Sequence, residues 1–247
     1  MKIELDKYPS IRAIHVIQND ELIFNGSKED IGQKQLYPIG CVFKSFLSVL
    51  IGSAIKERRI NSIEDCILDY VDHNKINDIN WYKIKIKHAL SKTTGLLWPG
   101  PGEMIPQNMN EVMNLDFESD PGSRFKYKPD PQIIVYLLEN IYQCNIVELF
   151  QSKIVKYFND KKFIWQSENI QDMSVSIGML DELCRLMLHK GKINNNDIFS
   201  EQYYDQSIIA YSNGGFPENM SYGLGWWLGT LNKTQYFYAA GFGGNER

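Results

Sequence analysis

Positive charge is in slight deficit in this 247-residue chain, with 26 lysines and arginines against 30 acidic residues and a formal charge of −4. Without a basic excess, nothing in the charge balance marks a nucleic-acid or anionic-membrane partner. Cysteine is scarce: Cys41, Cys66, Cys144 and Cys184 lack the close CxxC or Cys/His spacing of a zinc site or a disulfide framework, so the thiols are read as free. His15, His73, His88 and His189 are not spaced as a metal pair, and no pattern asks for a metal or a cofactor. No stretch reaches the roughly 18 apolar residues of a membrane span. The opening MKIELDKYPS mixes acids and bases where a secretory leader needs an apolar run, so a reducing cytoplasm is the expected location. Repeats and low-complexity segments are missing as well.

What the chain does have is 43% hydrophobic residues, enough to bury a substantial core and to exclude disorder, collagen and coiled coil. Residues 12 to 24 are two apolar-rich runs around Asn19 and Asp20, the pattern of a β-hairpin. From Cys41 a helix runs through Phe46, Leu47, Leu50, Ile51 and Ala54 and is expected to be mostly buried. Short helical stretches are expected over 63–70 and 84–90, stopped by TTG at 93–95, followed by a loop over 97–124 punctuated by Pro and Gly. Helices over 131–142 and 180–189, then strands over 222–231 and 234–240, complete the pattern. Strands at both ends of a helical middle predict one α+β domain over 1–247. Its antiparallel sheet would come from about 1–40 and 200–247, with a mainly helical region inserted over 41–199.

The spacing with chemical content is Cys41 to Lys44, because residues three apart share a helical face. A cysteine in a first helical turn feels the positive end of the helix dipole and a neighbouring ammonium, and both favour thiolate. A desolvated, neutral Lys44 would instead act as a base. Either state activates the sulfur, although CxxK alone is also what a small buried thiol and a surface lysine would spell.

The setting adds specificity. YPIGCVFKSFLSVLIGSAIKERRINSIED resembles the active-site helix of the serine β-lactamase and penicillin-binding-protein-like hydrolases, whose SxxK motif opens such a helix. HALSKTTGLLWPG at 88–100, PGSRFKYKPDPQIIVYLLENI at 121–141, SIGMLDELCRLMLHKGKI at 176–193 and YFYAAGFGGN at 236–245 resemble further family segments in the same order. The resemblance covers almost the whole chain and implies a β-lactamase/transpeptidase-like fold. It puts Cys41 on the family's nucleophile, Lys44 on its lysine and Tyr127 on the tyrosine of its YxN motif. That phenol would serve as base or proton shuttle if its pKa were lowered by Lys44.

Three departures shape the expectation. Sulfur replaces oxygen at position 41, so the covalent intermediate would be a thioester. YKP at 127–129 lacks the amide of YxN, for which Asp130 is a partial substitute. FGG at 242–244 aligns where Lys or His, any residue and Gly are expected, so Phe242 brings no cation for a substrate carboxylate and a less polar acyl group is expected. Backbone amides near Gly243, Gly244 and Asn245, with that of Cys41, are the candidate oxyanion hole, a bulged strand end being the bland alternative. KTTG at 92–95 imitates a KTG motif but precedes Tyr127 and is read as structural; Ser45 and Ser48 lack a lysine three positions on.

These readings predict an acyl-transfer enzyme, hydrolase of an ester, amide or thioester or else acyltransferase, acting on a small-molecule acyl substrate through Cys41. The alternative is a silent relative serving as a ligand-binding or assembly module. The end at Arg247 comes soon after the last motif, so the C-terminus reads as shortened and its strand as an edge through which copies could pair into a homo-oligomer.

Overall fold

The computed structural model describes residues 7–27, 35–73, 76, 78–100, 103–166, 170 and 172–241. Its first elements are the expected hairpin, β1 (Ala13–Gln18) and β2 (Glu21–Ser27). Asn19 and Asp20 join them at φ of 50 and 67°. That left-handed pair matches the twist of a tight hairpin, and Asn and Asp tolerate it.

A short strand, β3 (Tyr37–Pro38), leads into a 3-10 turn over Gly40–Val42 and then α1 (Phe43–Lys56). The next helices are α2 (Ile86–Leu90), α3 (Met109–Val112), α4 (Pro131–Tyr142) and α5 (Ile146–Lys153). They are followed by β4 (Phe163–Trp165), β5 (Met173–Val175), α6 (Ile177–Leu188), the small ladder β6 (Lys192–Ile193) and β7 (Asn196–Asp197), and α7 (Glu201–Ser207). Four strands close the described chain: β8 (Ser212–Gly215), β9 (Met220–Tyr222), β10 (Trp227–Leu231) and β11 (Thr234–Tyr238).

Helix α1 is the axis of the core, with every residue from Phe43 to Ala54 buried. It packs against α4, α5 and α7. Its polar side chains are satisfied inside the fold: Ser45 Oγ donates to the Gly225 carbonyl at 2.8 Å, and Ser48 Oγ lies 3.0 Å from the Tyr203 hydroxyl. Both hydroxyls are buried and turned into the core. Helix α4 runs over the expected residues, opened by Pro131 and ended by Gln143 in the left-handed region. It forms with the following helical stretch an apolar pair bent by 74°, but Ile133, Ile134, Leu137 and Leu138 are buried in the core. Among the described residues no single helix is long and apolar enough to cross a membrane.

The fold is mixed helix and antiparallel sheet, as expected, but its pairing is more divided than one sheet shared by both ends. Strands β11, β10, β9 and β8 form one antiparallel ladder with β11 at its edge, while the β1–β2 hairpin pairs only with itself among the described residues. The hairpin docks on α6 instead, with His15 Nδ1 2.6 Å from Asp181 and His189 Nε2 2.7 Å from Asp20. A third ladder, β3–β5–β4, lies largely within the region expected to be mainly helical. Strands of two or three residues carry no readable period. The expected 222–231 strand is broken after Tyr222 by a turn, and α6 starts three residues early because Ser176 Oγ accepts from the Met179 amide at 3.2 Å.

One half-buried imidazole makes stability depend on pH. His88, in α2, accepts the Lys85 amide at Nδ1 (3.2 Å), a bond only the neutral ring can make. Burial, helped by Lys87 and Lys85, lowers its pKa from 6.5 to about 4. The folded value lies below the unfolded one, so this contribution is complete above the unfolded pKa and is lost as pH falls through about 4. Discounted for partial exposure, it is worth about 1–2 kcal/mol. Urea unfolding at pH 7 and pH 4.5 should show this increment shrinking for the parent and absent in His88→Gln; equal pH dependence in both would exclude His88 as its source.

Candidate active site

The backbone reaches the site through a tight entry. Gly40, at φ 46°, turns the chain after β3, and the Val42 amide closes the turn on the Ile39 carbonyl at 3.1 Å. Cys41 therefore sits on a 3-10 turn just before α1 rather than inside the α-helix. This strengthens the expected juxtaposition, because positions three apart eclipse in a 3-10 turn. Cys41 is half-buried, whereas Lys44 is only 7% exposed.

Tyr127 arrives from the segment ahead of α4, and Lys44 Nζ donates to its hydroxyl at 2.9 Å. The phenol ring stacks on Trp227 of β10, centroids 6.0 Å apart and planes 15° apart. Phe125 packs edge-on against Trp227 and also touches Tyr222, so the closing sheet supplies an aromatic wall behind Tyr127. Cys41, Lys44 and Tyr127 open together on a cavity of about 200 Å³ lined also by Phe43, Pro129 and Ile170. Pro131, Lys128 and Gln132 complete the lining, so the sulfur faces a cavity with both apolar and polar walls.

The three groups shift one another's acidity. Burial pushes the Cys41 thiol up, but the Lys44 charge, hydrogen bonding from Lys44 and Tyr127 and the Lys92 charge together outweigh it and leave the thiol below its ordinary value. Burial lowers Lys44, and Cys41 pulls it partly back. Tyr127 moves opposite to the expectation: burial, then its hydrogen bond to Cys41 and the charge there, raise its pKa well beyond the ordinary phenol range. Beside a thiolate, the neutral phenol is the favoured form. The raised pKa runs against the lowered phenol pKa expected of a base at this position.

Two further residues belong to the site. Lys92, read from sequence as part of a structural helix end, is fully buried, with Nζ 4.4 Å from the centre of the Tyr127 ring. The available signal was a lysine inside an apolar stretch, ALSKTTGLL, with no acid beside it to pair with. Asp130 is not free to stand in for the missing amide of YxN. Its carboxylate accepts from Thr94 Oγ1 at 2.8 Å and Trp98 Nε1 at 2.6 Å, inside the fold.

The candidate oxyanion residues Gly243, Gly244 and Asn245 lie outside the described residues. The last described residue, Gly241, already lies against the Cys41 turn: a β-carbon there would sit 2.0 Å from the Ile39 carbonyl oxygen and 3.2 Å from the Cys41 amide nitrogen. The chain after β11 therefore passes directly against the turn that carries Cys41.

The fold has counterparts among solved structures. A candidate β-lactamase from Bacteroides dorei DSM 17855 superposes with a TM-score of 0.77 at 17% identity, over 90% of this chain and 74% of that one. An octameric penicillin-binding protein homologue from Pyrococcus abyssi gives 0.69 at 16%, over 91% of this chain and 62% of its own length. EstCE1, a hydrolase with promiscuous acyltransferase activity, gives 0.68 at 12%, over 92% and 84%. At these identities the likeness is one of fold. No curated protein matches the chain in sequence. The profile of the Beta-lactamase family, however, matches residues 12–246, which is nearly the whole chain, and the protein belongs to that family.

Proposed function

We propose that this protein is an acyl-transfer enzyme that forms a covalent acyl-thioester on Cys41. The observation that carries the reading is the convergence of the Cys41 thiol, the Lys44 amine and the Tyr127 phenol on one cavity, with the 2.9 Å bond linking amine to phenol. The depressed thiol and the raised phenol fit distinct roles, since groups whose acidities are driven apart divide acid and base work.

At rest the sulfur is thiolate and Lys44 ammonium. The thiolate attacks an ester or thioester carbonyl and forms the carbon–sulfur bond. As the bond to the leaving group breaks, Tyr127 gives that group its proton and takes one from Lys44, which becomes a neutral amine. Water then attacks the acyl-thioester, its proton passes to Lys44, and the thiolate departs, restoring the starting state with one carboxylic acid and one alcohol or thiol released. An alcohol or amine in place of water gives transfer instead of hydrolysis. The Cys41 amide is one proposed oxyanion donor, and Gly243, Gly244 and Asn245 are the proposed source of the second on sequence grounds.

Phe43, Pro129 and Ile170 at the cavity favour an apolar acyl group. The test is a panel of chromogenic esters and thioesters of increasing acyl length, with intact mass and peptide mapping at early times. The expected result is one acyl mass added to the peptide bearing Cys41, with a bond cleaved by neutral hydroxylamine. Modification confined to other peptides, or to none across the panel, would count against acyl transfer.

A further inference from the structure

The steps above use Cys41, Lys44 and Tyr127 and leave one buried amine without a task. Lys92 is 1% exposed. Its backbone carbonyl accepts from the Lys126 amide at 2.9 Å, and its Nζ donates to the Lys128 carbonyl at 2.7 Å. The residues on either side of Tyr127 are thus both tied to Lys92. The same Nζ stands 4.4 Å from the phenol ring centre, close to the 4.3 Å of Lys44 Nζ, so two amines share one aromatic ring.

Burying an amine is costly, and the nearby Asp130 carboxylate, spent on Thr94 and Trp98, influences Lys92 through its charge. A side chain needed only as packing would be cheaper as methionine or leucine. We propose that Lys92 is a positioning residue of the acylation centre, clamping the chain on both sides of Tyr127 and holding its amine against the phenol, so that the thiol is tuned by two amines rather than one.

The groups facing the thiol are Lys44 from α1, Tyr127 from its loop and Lys92 behind that ring, with Tyr222 of β9 also sensing it. Those facing Lys92 are Lys44, Asp130 and Cys41. Burial and Lys44 drive the Lys92 amine towards its neutral form, while Asp130 and Cys41 draw it towards ammonium. A thiolate at position 41 and a proton on Lys92 therefore favour each other.

The measurement is the pH profile of Cys41 alkylation by iodoacetamide, read on the Cys41 peptide because three other thiols are present. Lys92→Met should raise the profile's midpoint and slow alkylation at neutral pH, by about tenfold for each unit of rise. Lys92→Gln, which keeps a donor for the Lys128 carbonyl but no charge, should raise it likewise and serves if the methionine variant does not fold. In a Tyr127→Phe background the shift should shrink, because part of it is transmitted through the phenol. A profile superimposed on the parent's, or a shift undiminished in the Tyr127→Phe background, overturns the proposal. It rests on Cys41 as the nucleophile, but the two fail separately: alkylation needs no substrate, so a protein that accepts no ester still reports whether Lys92 tunes its thiol.

Discussion

Cys41→Ala should remove covalent labelling and turnover together, lowering kcat by at least about a thousandfold while leaving the fold intact. The loss should be this large because neither nearby serine stands in reserve. Ser45 donates to the Gly225 carbonyl and Ser48 is bound to Tyr203, both turned into the core. Lys44, Lys128 and Tyr127 share the cavity and could take an acyl chain in the absence of the sulfur. A lysine would hold that chain as an amide, which neutral hydroxylamine does not cleave, and peptide mapping separates an ester on Tyr127. The fold should survive because alanine keeps the β-carbon on the turn and the lost sulfur lines a cavity rather than the packed core. Kinetics on the purified variant, with thermal unfolding as the control, check both halves. A variant that turns over at the parent's rate, or carries the same hydroxylamine-labile mass, would remove Cys41 from the mechanism.

The electrostatics explain why a thiol can occupy this position with the partners it has. A serine alcohol must surrender its proton to a base during attack, whereas the Cys41 thiol already has a pKa below its ordinary value and gives up its proton more readily. The burden on Tyr127 changes accordingly. Its phenol, pushed above the usual range by burial and by the thiolate, is suited to deliver a proton to the leaving group rather than to collect one from the nucleophile. In the proposed mechanism the single bond from Lys44 Nζ to the Tyr127 hydroxyl makes the pair a relay, recharged from the ammonium after each transfer.

Much of this was legible in the chain itself, and where it was not the reason is physical. The Asn19–Asp20 hairpin, the buried α1 and the limits of α4 follow from turn chemistry and apolar spacing, which are local. The proximity of Cys41 to Lys44 is local too. Tyr127 could be placed only through the family resemblance, since 83 residues separate it from Lys44. The burial of Lys92 was not legible because a lysine after a short helix carries no mark of it. What buries it is the return of the Lys126–Lys128 segment, and no sequence period encodes that return. The direction of the Tyr127 shift was missed for a related reason. The sequence shows a cation nearby but not the desolvation, which here outweighs it.

Gly241→Ala should cut the acylation rate by about a hundredfold or more without removing any catalytic side chain. The position is spare on paper, one glycine in AAGFGG, yet the geometry leaves no room for a methyl group. A β-carbon would lie 2.0 Å from the Ile39 carbonyl oxygen and 3.0 Å from its carbon, and both contacts are with backbone, which cannot rotate away. That carbonyl accepts the Val42 amide at 3.1 Å and so closes the turn on which Cys41 rides. Relief must come from the end of the closing strand moving outward or from the Ile39–Cys41 turn giving way. Either movement separates the nucleophile from the backbone passing over it, and displacements near 1 Å are enough for losses of this order. Pre-steady-state acylation with the best ester of the panel, beside thermal unfolding and the Cys41 alkylation rate, resolves the cause. Acylation falling far more than alkylation locates the damage at the strand; both falling together locates it at the turn. Acylation at the parent's rate would mean that the approach of Gly241 to Cys41 has no part in the chemistry.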